Sequence, residues 1–183
     1  MRAGRLNTPA TLLELNADIQ ACELDWLWCG IDTKESAEPP YPTGLRNPAK
    51  VAIRAWWDER LRQGRYLRTE HRLFHIDSAR DYRGDRAELA ITATEFIGEQ
   101  AQLLRPGQPP RCVRVFMIYD APYRDDLGQV IEYRIRAEVA LIESGRVEKG
   151  DRINLAGRAY SVTNQADDEN DGIVRGLWLA EME

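Results

Sequence analysis

Motifs that commonly accompany catalysis are missing from this chain of 183 residues. It has only two histidines and three cysteines, and Cys22, Cys29 and Cys112 lack the short spacings of zinc ligands. It contains no nucleophile elbow, no phosphate-binding loop and no glycine motif for a dinucleotide. With so few bases available to activate a thiol, buried structural cysteines are the preferred interpretation. We therefore expect a protein that is not an enzyme and that needs no cofactor and no metal.

Long apolar runs and an excess of positive charge are missing too. No segment approaches ~18 consecutive apolar residues, so we expect neither a signal peptide nor a membrane span. Lys and Arg number 25 against 30 Asp and Glu, which gives a net charge of −5. A nucleic-acid-binding protein that neutralises phosphates usually has the opposite balance. The odd cysteine count favours a reducing, intracellular setting.

The chain does contain a pattern that occurs twice. Three short segments of the first half return in the second half: residues 53–55 as 135–137, residues 72–77 as 158–163, and residues 89–91 as 177–179. The separations are 82, 86 and 88 residues. They differ by only a few residues, as loop-length changes between two copies of one module would produce. The pattern predicts an internal duplication.

Short apolar segments separated by turn residues predict an all-β chain with minor helix. The expected organisation is two small β-barrel or sandwich modules in tandem, at residues 1–98 and 112–183, joined by a Pro- and Gly-rich linker at residues 99–111. Residues 24–31 are apolar on both faces and predict a well-buried strand. Residues 33–48 contain four prolines and predict a long loop with a functional role.

An acidic segment in the second half, expected as a hairpin loop at residues 164–172, resembles the start of an EF-hand. Asp167, Glu169 and Asp171 alternate before Gly172. However, Trp178 stands where the calcium loop needs its last, bidentate carboxylate, and the flanking segments are predicted to be strands. A solvated acidic turn is therefore the preferred interpretation.

Two further pairs of residues admit a binding role. His71 and His75 have a metal-ligand spacing for a helix, but on a strand they would lie about 13 Å apart, too far for one ion. Trp56 and Trp57 end a predicted strand, so one of them must point away from the core. An exposed Trp suits either stacking on a sugar or base, or a subunit interface.

Several motifs occur in an order that resembles a known family. They are Met1-Arg2-Ala3-Gly4-Arg5-Leu6, the Trp-rich strand at residues 26–31, Val51-Ala52-Ile53-Arg54, His71-Arg72-Leu73-Phe74-His75-Ile76 and Glu88-Leu89-Ala90-Ile91. This series resembles the head–tail joining proteins of tailed phages, which include adaptor, stopper and head-completion proteins. The second half, at residues 150–162 and 176–177, looks like the strand-turn-strand core of head-completion proteins.

The sequence departs from that family in two respects. The family's proteins are usually one module of about half this length, and His71 replaces the usual Gly before Arg72. The doubled length leaves open how many copies fill a ring and whether both modules face the same neighbours.

The resemblance implies a structural virion protein that joins the DNA-filled head to the tail. Copies would form a ring in the neck of the virion after synthesis in the host cytoplasm. Their partners would be the portal or adaptor and the tail-completion proteins, with no membrane and no sequence-specific nucleic acid. The candidate assembly interface comprises Arg2, Arg5, Glu35, Glu38, Tyr41, Arg46, Trp57, Arg83 and Asp85. A different interpretation is an OB-like or carbohydrate-binding β-barrel that uses exposed aromatic residues.

Overall fold

The computed structural model describes residues 6–32, 43–81, 83–125 and 127–182, and for residues 167–170 it describes the backbone alone. Within these residues it contains twelve strands and one four-residue helix, which confirms the prediction of an all-β chain with minor helix. Contacts divide the chain into two compact units: Met1–Asn16 with Ala21–Phe96, and Ala17–Gln20 with Ile97–Glu183. We call these units the first and the second module.

The first module is a closed barrel of antiparallel strands. Its strands are β1 (Thr8–Leu15), β2 (Ala21–Asp32), β3 (Arg46–Trp56), β4 (Tyr66–Arg68), β5 (Leu73–Asp81) and β6 (Glu88–Phe96). Around the barrel the order is β1-β2-β3-β6-β5-β4. Because β3 begins at Arg46, the loop predicted at residues 33–48 ends earlier than expected. Residues 33–42 of that loop lie outside the described part of the chain.

The second module is also a closed antiparallel barrel. Its elements are β7 (Glu99–Leu104), β8 (Arg111–Arg124), β9 (Val130–Ala140), α1 (Leu141–Ser144), β10 (Arg152–Leu155), β11 (Arg158–Asn170) and β12 (Val174–Glu181). Around the barrel the order is β7-β8-β9-β12-β11-β10. Counted from the first strand of each module, both orders are 1-2-3-6-5-4.

The linker predicted at residues 99–111 is wrong. Residues 99–104 form β7, which pairs with β8 and β10 and places Ala101 and Leu103 in the core. The Pro- and Gly-rich residues that follow make the turn from β7 to β8. Gly107 has a φ of 73° there, a left-handed conformation that glycine adopts without a Cβ clash. The Pro- and Gly-rich residues therefore form a hairpin turn and not a domain boundary.

The strand ladders support the duplication. The repeated segments lie on the third, fifth and sixth strand of each module. Ile53 pairs with Ile91, and at the equivalent positions Ile135 pairs with Leu179. Four of the six ladders keep their register between the modules, while β2–β3 and β5–β6 differ from β8–β9 and β11–β12 by two residues. Because a one-residue slip would exchange the two faces of a strand, shared register also preserves which side chains face inward.

The two cores are accordingly built at matching positions. The equivalent buried pairs are Ala10 and Ala101, Leu12 and Leu103, Cys29 and Val115, Ala55 and Ala137, Leu61 and Val147, Leu67 and Ile153, Phe74 and Tyr160, Ile76 and Val162, Leu89 and Leu177, and Ile91 and Leu179. At most equivalent positions, a small residue in one module corresponds to a small residue in the other, and a large residue to a large one. The packed volume of the two barrel interiors is therefore similar.

One ion pair occurs in both modules with its charges exchanged. In the first module, Arg65 Nη2 lies 3.0 Å from Glu14 Oε2, and the hydrogen bond from Arg65 is the main reason that the pKa of Glu14 is lowered. In the second module, Arg105 Nε lies 3.1 Å from Asp151 Oδ2. Glu14 and Arg105 occupy the equivalent positions at the end of the first strand, while Arg65 and Asp151 each follow a glycine before the fourth strand.

Candidate functional site

The structure describes only part of the predicted assembly interface. Five of its nine residues lie outside the described part of the chain: Arg2, Arg5, Glu35, Glu38 and Tyr41. Arg46 is half-buried at the start of β3, where it pairs with Phe96 in the ladder. Trp57, Arg83 and Asp85 lie in the first module just beyond the ends of β3 and β5.

The structure brings Trp57 to the turn between β5 and β6 that contains Arg83 and Asp85. The Trp57 backbone N–H donates to the carbonyl of Ala87 over 3.0 Å, and the Arg86 guanidinium lies 5.6 Å from the Trp57 ring centre. The Asp81 carboxylate accepts three backbone N–H groups of this turn, and these bonds, led by that from residue 86, lower the pKa of Asp81. The turn is therefore held in one shape by its own side chains.

A larger exposed surface lies on the outside of β2 and β3, of which the sequence predicted only that Trp56 or Trp57 points away from the core. Trp26, Trp28 and Trp56 are 55%, 45% and 47% exposed, and we call these three residues the tryptophan face. Cys29 and Ala55 pair across the two strands and point into the core. Successive side chains of a strand point to opposite faces, so Trp28 before Cys29 and Trp56 after Ala55 point outward. The rings of Trp26 and Trp28 meet edge to face, with centres 5.2 Å apart. The prediction of a well-buried strand at residues 24–31 is therefore wrong on this side.

Charged residues border the tryptophan face. Arg54 Nη1 lies 3.5 Å from Glu88 Oε1, and the Asp25 carboxylate binds the Arg60 guanidinium. Asp25 also accepts the backbone N–H of Trp26 at 2.7 Å, and these bonds, that from Trp26 first, lower the pKa of the Asp25 carboxyl. The apolar rings are thus surrounded by polar groups that already bind one another.

The equivalent face of the second module is covered by its own chain. Arg114 occupies the position of Trp28 and is 6% exposed. Its backbone N–H donates to Glu143 Oε2 of α1 at 2.8 Å. Trp178 lies on the same face and is 7% exposed. Tyr123 packs on Trp178 edge to face, with ring centres 5.2 Å apart. The positions of Trp28 and Trp56 are thus exposed in the first module, whereas their counterparts Arg114 and Glu138 are buried in the second.

Trp178 is covered by a two-stranded ribbon, which is formed by the end of β8 and the start of β9. Its ladder includes Pro122 opposite Tyr133 and Ala121 opposite Arg134. The inner side of the ribbon contains Ala121 and Tyr123, and the Arg134 guanidinium lies 3.7 Å from the Tyr123 ring centre.

The outer side of the ribbon is apolar and exposed. Tyr133 is 67% exposed, Ile131 61%, and Leu127 at the tip 85%. We call these three residues the ribbon face. The tip is fixed by Asp125 Oδ1, which accepts the backbone N–H groups of Leu127 and Gln129 at 3.0 and 2.8 Å.

A polar cluster joins β3, β5 and β6 on the first barrel. Asp77 Oδ2 accepts hydrogen bonds from Lys50 Nζ at 2.9 Å and Thr94 Oγ1 at 2.7 Å, and Asp77 Oδ1 lies 3.0 Å from His75 Nδ1. Burial alone would raise the pKa of Asp77, but the bonds from Lys50, Thr94 and His75 outweigh it and lower that pKa. Because each polar group bonds another, the cluster is best explained as a cross-strand brace.

The two histidines with a metal-ligand spacing lie in different parts of the chain. His75 lies in β5, whereas His71 lies in the exposed turn before it. Asp171 accepts the backbone N–H groups of residues 173 and 174, and β11 runs to residue 170, so the acidic loop is shorter than predicted. Among the described side chains, no group of three or more His, Cys, Asp or Glu lies together. Burial raises the pKa of the Cys29 thiol to about 11.

A cleft of about 430 Å³ lies in the second module. Its lining includes Arg105, Arg111, Arg146, Glu148 and Asp151. Arg105 is held there by Asp151 and by the carbonyls of residues 144 and 146, the latter two at 2.7 and 2.6 Å. The mixture of charges selects no class of small ligand.

Comparison with known proteins adds no relative: neither a family model, nor a curated protein, nor a solved structure matches the chain. In the part of the chain that the structure describes, no helix is long and apolar enough to cross a membrane. Of the nine large hydrophobic side chains that are exposed among the described residues, six belong to the tryptophan face or the ribbon face.

Proposed function

We propose that this protein is a structural virion protein of a tailed phage or prophage, and that it joins the DNA-filled head to the tail as part of a ring in the neck. The observation that carries the proposal is the ordered series of head–tail joining motifs in the first module. After the opening residues, these motifs lie on β2, β3, β5 and β6, which are strands of one closed barrel.

The exposed surfaces support an assembly role. Soluble monomers rarely leave several large apolar side chains exposed together, and such patches usually mark interaction sites. Here two of them occur, one on each module, at Trp26, Trp28 and Trp56 and at Leu127, Ile131 and Tyr133. Aromatic residues are also the side chains that protein interfaces favour at their centres.

The net charge of −5 also suits this role. A ring through which DNA passes must not bind the phosphates tightly, because each neutralised phosphate strengthens the association. An acidic subunit avoids that interaction.

The experiment is deletion of the gene from an inducible prophage, followed by electron microscopy of the particles. We expect unjoined filled heads and separate finished tails to accumulate, and the wild-type gene supplied in trans to restore joined particles. Normal joined particles without the gene would show that the neck function is wrong.

A carbohydrate-binding or OB-like module remains the second candidate, because Trp26, Trp28 and Trp56 would also present stacking surfaces to sugars or bases. Titration of the intrinsic tryptophan fluorescence with oligosaccharides and single-stranded oligonucleotides distinguishes the two. The neck function predicts no saturable change, whereas saturable binding by a monomer would favour the second candidate.

A further inference from the structure

We propose that the ribbon face of one copy packs on the tryptophan face of another copy, so that copies associate head to tail. This inference rests on the proposed function for its setting, a ring of copies, but its geometry comes from the two surfaces. It identifies the partner of the tryptophan face as the second module of a neighbouring subunit.

The first argument is that the two surfaces are different. A two-fold dimer pairs one patch with itself, whereas a ring or filament needs two unlike patches that meet between successive copies. The described residues form one patch of each kind: three tryptophans on a barrel wall, and Leu127, Ile131 and Tyr133 on the ribbon.

The second argument is their matching size. Three tryptophans that are about half exposed, at roughly 200 Å² each, present on the order of 300 Å² of apolar surface. The ribbon face presents on the order of 300 Å² as well, from one aromatic and two aliphatic side chains. Since a small, reversible interface buries up to about 600 Å² per partner and is somewhat more than half apolar, each patch fits the apolar centre of such an interface.

The third argument is that the molecule already contains this kind of contact. The inner side of the ribbon covers the second module's own barrel wall, where Tyr123 packs on Trp178 edge to face at 5.2 Å. Trp178 lies opposite Arg136 in the ladder, as Ala90 lies opposite Arg54 on the first barrel. The exposed Tyr133 on the outer side of the ribbon would thus repeat, on the tryptophan face of another copy, the tyrosine-on-tryptophan contact that Tyr123 makes on the inner side.

An interface at the tryptophan face would not need to separate its bordering charges. Arg54 is already bound to Glu88, and Asp25 to Arg60. Burial of the rings therefore leaves each of these ions with its partner, which avoids the penalty of an isolated buried charge.

The test uses two variants of the full chain, each with one surface removed. The face variant carries Trp28→Thr and Trp56→Thr, and the ribbon variant carries Ile131→Thr and Tyr133→Thr. Threonine keeps the strand propensity while it removes most of the apolar area. A third variant, Tyr119→Thr, removes an exposed aromatic side chain that belongs to neither surface and is the matched control. Circular dichroism and thermal unfolding establish that each variant is folded.

Sedimentation at protein concentrations up to ~1 mM measures association, in the range where weak interfaces are populated. We expect the wild type and the Tyr119→Thr control to form oligomers as concentration rises. Each surface variant alone should associate at least tenfold more weakly. An equimolar mixture of the two surface variants should form a 1:1 dimer and nothing larger, because the intact ribbon of one meets the intact tryptophan face of the other.

Three results would overturn the inference: a wild type that stays monomeric throughout, a surface variant that still associates, or a mixture that stays monomeric. A surface variant that still associates would indicate an isologous contact through its intact surface. If the mixture of the two surface variants stays monomeric while gene deletion still leaves heads unjoined, the neck function stands and this interface does not. If the mixture forms the dimer but deletion gives normal particles, the interface stands and the neck function does not.

Discussion

At the barrel position where the first module exposes Trp28, the second module buries Arg114 beneath Glu143 of α1. The strand order around the barrel and most of the ladder register are the same in both modules, and so are the positions of the core residues. The difference lies in what covers one wall. The comparison shows that the barrel interior changes little, because packing couples every position, while the outer wall has diverged into an exposed surface in one module and a self-covered surface in the other.

The largest expected effect is the difference in stability loss between removing the buried Trp178 of the second module and removing the exposed Trp28 of the first module. Trp178→Ala should destabilise the second module by about 3–5 kcal/mol, because it leaves a cavity beside Tyr123. Trp28→Ala should change the free energy of unfolding by about 1 kcal/mol or less, because half of that side chain is already in water. Denaturant unfolding of the two variants measures both. Equal losses would mean that the open wall is packed in the free protein.

The next effect concerns the exchanged ion pair. Arg65→Asp places a carboxylate beside Glu14 at a site where the arginine side chain is 10% exposed, so we expect a loss of about 2–4 kcal/mol. The double variant Glu14→Arg, Arg65→Asp reproduces the arrangement of Arg105 and Asp151 and should recover at least half of that loss. Urea unfolding midpoints provide the measurement. A double variant as unstable as the single one would show that the two sites are not interchangeable.

A smaller effect should be equal in the two modules. Gly64 and Gly150 have φ values of 87° and 93°, and each donates its N–H to the fifth strand, at Ile76 and Val162. Alanine at either position meets no neighbouring atom but must adopt a left-handed backbone, which costs about 1–2 kcal/mol. Calorimetry of Gly64→Ala and Gly150→Ala should give similar shifts. A loss confined to one module would break the equivalence of these turns.

The smallest effect is a pH dependence of the first module. The pKa of Asp77 is lower in the folded state than the ordinary carboxyl value of 3.8, so Asp77 stabilises the module above that value. This stabilisation disappears as the pH falls below about 4, because protonation weakens the bonds from Lys50, Thr94 and His75. Asp77→Asn should reduce the slope of stability against pH in that range, as thermal unfolding from pH 6 to 3 can measure. An unchanged slope would mean that Asp77 does not take part.

Much of the fold could be predicted from local patterns. The repeated segments at residues 53–55 and 135–137 predicted equivalent strands, because alternation and turn residues act over a few positions. β7 was missed for the opposite reason. Its residues Ala101 and Leu103 are flanked by polar side chains and followed by a Pro- and Gly-rich turn, so the composition outweighed a short alternation that only pairing with β8 and β10 stabilises.

The candidate site was less predictable. Trp26 and Trp28 were expected inside, since large aromatic residues usually are, and nothing local distinguishes a barrel wall that is covered from one that is open. The alternation with Cys29 was the available signal, because a small buried residue on one face places its neighbours on the other. Ile131 and Tyr133 lie where β8 and β9 continue as a pair beyond the other strands of the barrel. Their exposure depends on where those other strands end, which the local sequence does not indicate.

The exchanged ion pair has a consequence for how a duplicated chain folds. Two modules with the same strand order and similar cores invite a mistake in which a strand enters the wrong barrel. If β7 took the place of β1, Arg105 would face Arg65; if β1 took the place of β7, Glu14 would face Asp151. Like charges would meet at a largely buried site in either case, whereas both correct pairings bring opposite charges together. The reversal of one ion pair thus lets each barrel distinguish its own first strand from the strand of its twin.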